Sequence, residues 1–422
     1  MTVAVVYLII FAAAYFAYQF VVRSREGMHD YTSLKTVTFG DESAVTANRF
    51  ASIVSIIALF AIWGAFTGSK ITPVHVPGPF MGDTGFEYTA TNPAGQTAQS
   101  RVNLRIYQLG ENVEYPPADG NASGFAKPDA VKIAAWRSAL VKPQDNDEGG
   151  NEEGYRVTAI DGQPIAPGDT VRFANGEITM TARGSLSVKP ESGWQMEPIW
   201  LPPPEAVVSR LVEIAREGYK NYTLWEHLGA SLGRVFAGFI IGSIVGIPLG
   251  YAMGLSNWFR GWFDPIVEFM RPVPPLALIP LVIIWFGIGE QGKVILLFLA
   301  ALWIMTISAR AGVSGVKISK VHAAYSLGAS KWQILRHVIV PNSLPEIFTG
   351  ARVAMGVCWG TVVAAELVAA DKGAGMMIVN ASKFQLTDIV IMGIILIGII
   401  GYGIDILMRM AEKWLVPWKG RG

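Results

Sequence analysis

Seven apolar runs, six of them 17 residues or longer and one of 14, constrain this chain more than any other feature. They are residues 3–22, 50–66, 228–254, 264–290, 294–307, 347–370 and 389–408. A helix needs about 20 residues to cross a hydrocarbon core of roughly 30 Å. Inside that core each backbone polar group must be satisfied by the chain itself, so such runs are expected to be helices. Only 16% of the 422 residues are charged, against about 25% in a soluble domain. The mean hydropathy of +0.36 points the same way. The expected fold is mainly α, a polytopic membrane bundle of about seven spans.

Charge gives the bundle an orientation. Arg23 and Arg25 follow the first run, Arg49 precedes the second, and Arg260 and Arg310 mark later turns. With Lys413, Lys419 and Arg421 they fall on one side, while Lys293, Lys372 and Lys383 stand singly on the other. The positive-inside rule then puts the N-terminus outside and the C-terminus in the cytoplasm. The first run is not read as a signal peptide, because no positive charge precedes it. A net charge of +1 gives no nucleic-acid footprint. The single cysteine, Cys358, lies in an apolar run and is expected to pack in the core. No spacing among the five histidines suggests a metal site.

Residues 69–200 differ in character. Gly, Pro, Asn and Asp are frequent, and 11 basic against 16 acidic residues give 11 − 16 = −5. The runs YRVTAI, TVRF, EITMTA and residues 102–108 alternate, with turn chemistry at DG, PGD and NGE. A β-rich extracytoplasmic domain is expected here, Asp161-Gly162 being a hairpin turn and residues 143–154 a solvated loop. Residues 26–48 read as a polar connector. Three prolines at 202–204 then open an amphipathic helix to Gly218, with Val207, Leu211 and Ile214 on one face. It is expected along the outer membrane surface. The division is therefore 1–68, two N-terminal membrane helices; 69–200, the β-rich periplasmic insert; and 201–422, the membrane core.

Within the core, Gly238, Gly242, Gly246, Gly250 and Gly254 recur every four residues, a stripe that lets another helix approach closely. Pro272, Pro274, Pro275 and Pro280 interrupt the run at 264–290. A broken helix is tolerated in a membrane where protein or a water-lined cavity satisfies the freed carbonyls. Arg271, Pro274, Pro275, Trp359 and Glu366 are accordingly the translocation-path candidates. Glu366 is an ionisable group inside an apolar span, which is expensive and often functional. An outer-end position, paired with Lys372 or solvated, is the plainer alternative.

Residues 317–341, KISKVHAAYSLGASKWQILRHVIVP, are too basic to lie in a bilayer. Val321, Ala324, Leu327, Trp332, Leu335 and Val338 recur at helical spacing around Gly328. A short helix, a turn at Gly328, a second helix and a stop at Pro341 are expected. This elbow resembles the cytoplasmic loop of binding-protein-dependent ABC importer permeases, with His322, Ala323, Ala324, Gly328, Val338, Val340 and Pro341 at the family's spacing. His322 stands where the family usually has glutamate. Residues 198–410 resemble the nitrate, sulfonate, taurine and bicarbonate group, through LPPPEAV, LGASLGRVFAGFIIGSIVGIPLGYAMGLS, DPIVEFMRPVPPLALIPLVIIWFGIGE and TGARVAMGVCWGTVVAAEL.

The resemblance implies a homodimeric permease with two cytoplasmic ATPase subunits and a separate periplasmic binding protein. His322, Ala323, Ala324, Leu327, Gly328 and Pro341 would couple to the ATPase. It implies no cofactor in this chain, ATP and Mg belonging to the partner, and the chain has no GxxxxGK[ST]. The expected solute is taurine or a related sulfonate, with nitrate, bicarbonate or another small solute as alternatives. An ion-coupled secondary transporter is the alternative of a different class. The resemblance covers neither residues 1–49 nor the insert, whose acidity suits docking a basic patch of the binding protein, with stabilising the dimer or shielding the mouth as the alternative.

Overall fold

The computed structural model describes residues 2–25, 48–120, 122–148 and 153–418. Most of the polar connector, residues 149–152 of the acidic loop, and Lys419 and Arg421 lie outside the described residues. The chain divides into two compact units, Met1–Glu205 and Ala206–Gly422.

The first unit opens with α1 (Thr2–Arg25) and α2 (Arg49–Thr67), followed by nine strands. Asn48 caps α2, its side chain accepting from the Phe50 and Ala51 N–H groups, and Gly68 ends it in the left-handed region. The strands are β1 (Gly82–Thr91), β2 (Thr97–Tyr107), β3 (Asp129–Ala134), β4 (Ala139–Val141), β5 (Arg156–Ile160), β6 (Gln163–Pro164), β7 (Thr170–Phe173), β8 (Gly176–Met180) and β9 (Leu186–Pro190). One sheet runs β3-β2-β1-β5-β6, the other β4-β9-β8-β7. Alternation builds their shared core: Phe86, Tyr88, Val102, Leu104 and Ile106 from the first sheet meet Ile178, Leu186 and Val188 from the second. Asp161 and Gly162, both with positive φ, form the two-residue turn that pairs Ile160 with Gln163.

The second unit is helical: α3 (Pro204–Glu217), α4 (Leu224–Leu255), α5 (Asn257–Met270), α6 (Ile279–Phe286), α7 (Glu290–Ser314), α8 (Ile318–Ser326), α9 (Lys331–Ile334), α10 (Val340–Ala369), α11 (Ala374–Lys383) and α12 (Thr387–Leu415). On α3, Val207 and Ile214 are buried on one face, as the spacing of its apolar residues requires. Across the described residues of both units, five stretches are long and apolar enough to cross a membrane: α2, α4, α7, residues 331–367 and α12. The proline-rich run is broken. α5 and Pro275–Phe286 meet at 93°. Pro280 lies in the first turn of α6, where a missing N–H costs nothing. The apolar part of α1, Val5–Val21, is shorter than these spans.

The glycine stripe brings α4 against α7. A Cβ on Gly242 would stand 2.6 Å from the Ala301 Cβ, and one on Gly246 2.7 Å from the Leu302 carbonyl oxygen. Gly238, Gly250 and Gly254 meet Leu297, Thr306 and Val313 as closely. Small residues on α7 and α10 do the same: a Cβ on Gly312 would reach 2.7 Å from the Ser343 Cβ. Without a hydrophobic drive between helices in lipid, this close backbone approach supplies the packing.

Candidate functional site

The second unit carries three groupings of the residues singled out in the sequence. The elbow comes first. Lys317 precedes α8, Gly328 turns the chain at φ +80°, and Ser330 caps α9 in a reciprocal box with Gln333. Ile334 and not Leu335 is the buried anchor of the second helix. His322, Ala323, Leu327 and Gly328 are exposed, and Ala324 is half-buried. Leu327 is 89% exposed and Trp332 67%, so both apolar side chains are turned away from their own chain. Among the described residues, apart from its own chain neighbours, nothing lies within 4 Å of where a Cβ on Gly328 would sit.

The expected stop at Pro341 is absent, and this corrects the sequence reading. The helix runs from Lys331 through a π segment, Leu335–Ile339, straight into α10, with Pro341 in the first turn of α10. Proline lacks an N–H, and its ring crowds the carbonyl four residues back. The wider π turn relieves both constraints, and the Val340 N–H reaches the Leu335 carbonyl. The Pro341 carbonyl accepts from the Trp418 Nε1–H at 3.2 Å.

The proline break forms the second grouping. Arg271 ends α5 and is exposed, 3.8 Å from Glu268, with Pro274 and Pro275 in the bend. Trp359 does not join them. It is buried between α10 and α12, where its Nε1–H donates to the Ile397 carbonyl at 3.0 Å and its ring fills the space left by Gly401.

Glu366 belongs to a third grouping, a polar network that sequence reasoning missed. Its carboxylate is fully buried and accepts from Arg234 Nη1 at 2.6 Å, Ser231 Oγ at 2.7 Å and the Gly375 N–H at 2.9 Å. Lys372 contributes only its carbonyl, which accepts from Arg234 at 2.9 Å. The alternative reading of Glu366 as an outer-end residue paired with Lys372 or solvated is therefore replaced by a buried pair with Arg234. Arg234 also holds Glu290 in a two-bond fork at 2.6 and 2.7 Å, and Glu290 accepts from Lys293 at 2.9 Å. His227 accepts from the Gly373 N–H at 3.1 Å, fixing the start of α11. One guanidinium thus joins α4 to α7, α10 and the α11 entry. The signal was present in the sequence: a carboxylate buried in an apolar span needs a cation, and Arg234 interrupts the neighbouring run.

The second unit thus combines a broken helix, an exposed elbow and a glycine-packed bundle. Residues 228–416 match the family described as the binding-protein-dependent transport system inner membrane component. The taurine transport system permease protein TauC of Escherichia coli (strain K12) is 48% identical over 251 residues, covering 58% of this chain and 91% of that protein. A putative aliphatic sulfonates transport permease protein of the same organism is 39% identical over 54% of this chain and 84% of that protein. The bicarbonate transport system permease protein of Synechococcus elongatus is 32% identical over 48% and 72%. This chain belongs to the family of inner membrane components of binding-protein-dependent transport systems.

Proposed function

We propose that this chain is the membrane-spanning permease of an ATP-driven importer whose solute is taurine or a related sulfonate. The observation that carries this reading is the 48% identity that extends over 91% of a taurine permease. The chain would act as a pair of identical copies, with two cytoplasmic ATPase subunits and a periplasmic substrate-binding protein. ATP and Mg would belong to the ATPase. We read seven crossings, α5 and α6 together forming one broken crossing and α1 another, with the N-terminus and the strands periplasmic and the C-terminus cytoplasmic. The acidic strand region would offer the binding protein a docking surface.

The mechanism follows from continuity of helix. The elbow projects Leu327 and Trp332 outward, as a helix seated in a partner's groove requires. Its second helix is the same rod as α10, and from Val340 to Glu366 that rod runs about 39 Å at 1.5 Å per residue. ATP-driven movement of the elbow would reach Glu366, and through Arg234 it would reach α4 and α7. Access would alternate as the two bundles move as rigid bodies.

The test is uptake of labelled taurine by vesicles holding the permease, its ATPase and its binding protein. Taurine and short alkanesulfonates should compete, and nitrate and bicarbonate should not. Uptake blocked by bicarbonate or nitrate but not by sulfonates would overturn the solute. Uptake that persists without ATP and follows an ion gradient would overturn the class.

A further inference from the structure

The junction between α2 and the strands is built as one piece. The Val76 N–H donates to the Ala65 carbonyl at 3.2 Å, and the Met196 N–H to the Phe66 carbonyl at 2.8 Å. The Trp194 N–H donates to the Pro77 carbonyl at 2.7 Å, and Trp63 Nε1 on α2 to the Pro202 carbonyl at 2.9 Å. Outgoing and returning segments are therefore knitted to each other and to the last turn of a membrane helix. Gly193, with φ +62°, sits so close to the Pro77 and Gly78 carbonyls that no side chain fits.

This junction points apolar side chains outward. Ile71 and Val74 on the outgoing segment are 70% and 73% exposed, and Trp194 and Trp200 on the returning one 67% and 73%. Polar turn residues would serve a junction bathed in water. We propose that these four side chains form a collar seated in the lipid headgroup layer, which fixes the height and tilt of the strand region on the membrane. The proposal rests on the reading that α2 crosses the bilayer.

Two features select lipid as the occupant. The collar lies on the segments that leave and rejoin the end of α2, a helix whose Ile53, Ile56, Ile57 and Leu59 are all more than half exposed. It also begins within four residues of the end of that span, at the depth where tryptophan's apolar ring and polar N–H are both accommodated. Lys70 beside it is exposed, and its N–H donates to Glu205 at 2.8 Å.

Spin-label depth measurements test the collar on the full-length chain. Cys358 is the only cysteine, so Cys358→Ala gives a clean background. Nitroxides are placed at Ile71→Cys, Val74→Cys, Trp194→Cys and Trp200→Cys, with Ile57→Cys on α2 and Leu140→Cys on β4 as references. The protein is reconstituted in vesicles of phosphatidylethanolamine and phosphatidylglycerol. The ratio of oxygen to nickel-chelate accessibility at the collar should fall between the two references, several-fold above Leu140→Cys. A collar ratio equal to that at Leu140→Cys overturns the proposal, and so does low access to both reagents, which would mean that protein covers it. An aqueous ratio at Ile57→Cys would instead overturn the reading of α2 as a span. If the tryptophan variants fail to fold, the loop positions 71 and 74 decide the outcome.

Discussion

At the scale of single residues, the buried ion pair decides most. Glu366 has no exposed surface and depends on Arg234 for its charge, whereas Glu290 is 61% exposed and can fall back on water. Breaking a buried pair from one side costs about 3–5 kcal/mol, because the charge left behind is uncompensated. Arg234→Met should therefore lower the melting temperature of the purified protein sharply, Glu366→Gln less, and Glu290→Gln least. Equal melting temperatures for all three would show that the network does not hold the bundle. Glu366→Gln should also reduce uptake while leaving assembly intact. A second residue-scale effect lies among the strands. Burial, followed by the nearby charges of Asp147 and Asp145, pushes the Asp129 carboxyl up to about 7. Asp147 faces the same cluster, accepting from Tyr88 Oη at 3.0 Å and the Lys127 N–H at 2.7 Å. A carboxyl raised in the folded state binds its proton more tightly there than in the unfolded chain. Its contribution is therefore full at low pH and is lost as pH rises from about 4 through about 7. Hydrogen exchange of the β2 and β3 amides in the intact protein, corrected for intrinsic rate, should report more protection at pH 5.5 than at pH 8. Asp129→Asn should flatten that difference, and an unchanged difference would assign the effect elsewhere.

At the scale of elements, the glycine stripe of α4 and the elbow give opposite expectations. Gly246→Leu places a side chain where the Leu302 carbonyl and Met305 already stand, so it should separate α4 from α7 and reduce the yield of folded protein. Leu327→Asp alters a side chain that touches almost nothing in its own chain, so its melting temperature should match wild type while transport-coupled ATP hydrolysis is lost. Gly328→Glu should uncouple as well, though its positive φ adds local strain that Leu327→Asp avoids. Both elements were legible in the sequence, because glycine every fourth residue and apolar periodicity around a lone glycine are local patterns. The helix break was legible for the same reason, prolines removing donors wherever they stand. Pro341 misled because the rule that proline ends a helix assumes α geometry, and the π turn before it accommodates the missing N–H and the ring. Arg234 stands out as a charge in an apolar run, but its pairing was missed because its partners lie 56 and 132 residues away, a proximity that the tertiary fold creates. Among the strands, alternation revealed β2, β5, β7 and β8, whereas the long β1, with glycine at both position 82 and position 85, hid its own.

At the scale of the whole molecule, a transport core is joined in one chain to a strand region for which the sequence resemblance gives no counterpart. Replacing residues 82–190 with a Gly/Ser linker should raise the binding-protein concentration needed for half-maximal uptake and affect the maximal rate less. An unchanged concentration would remove the docking role. The central claim is that this chain turns a partner's ATP hydrolysis into solute movement through the elbow and α10. The most direct test compares wild type and Leu327→Asp in vesicles with the ATPase and taurine-loaded binding protein, measuring hydrolysis and taurine uptake together. The account predicts that both rise with loaded binding protein for wild type and that neither does for Leu327→Asp. Stimulated hydrolysis and uptake that survive Leu327→Asp at wild-type rates would contradict it.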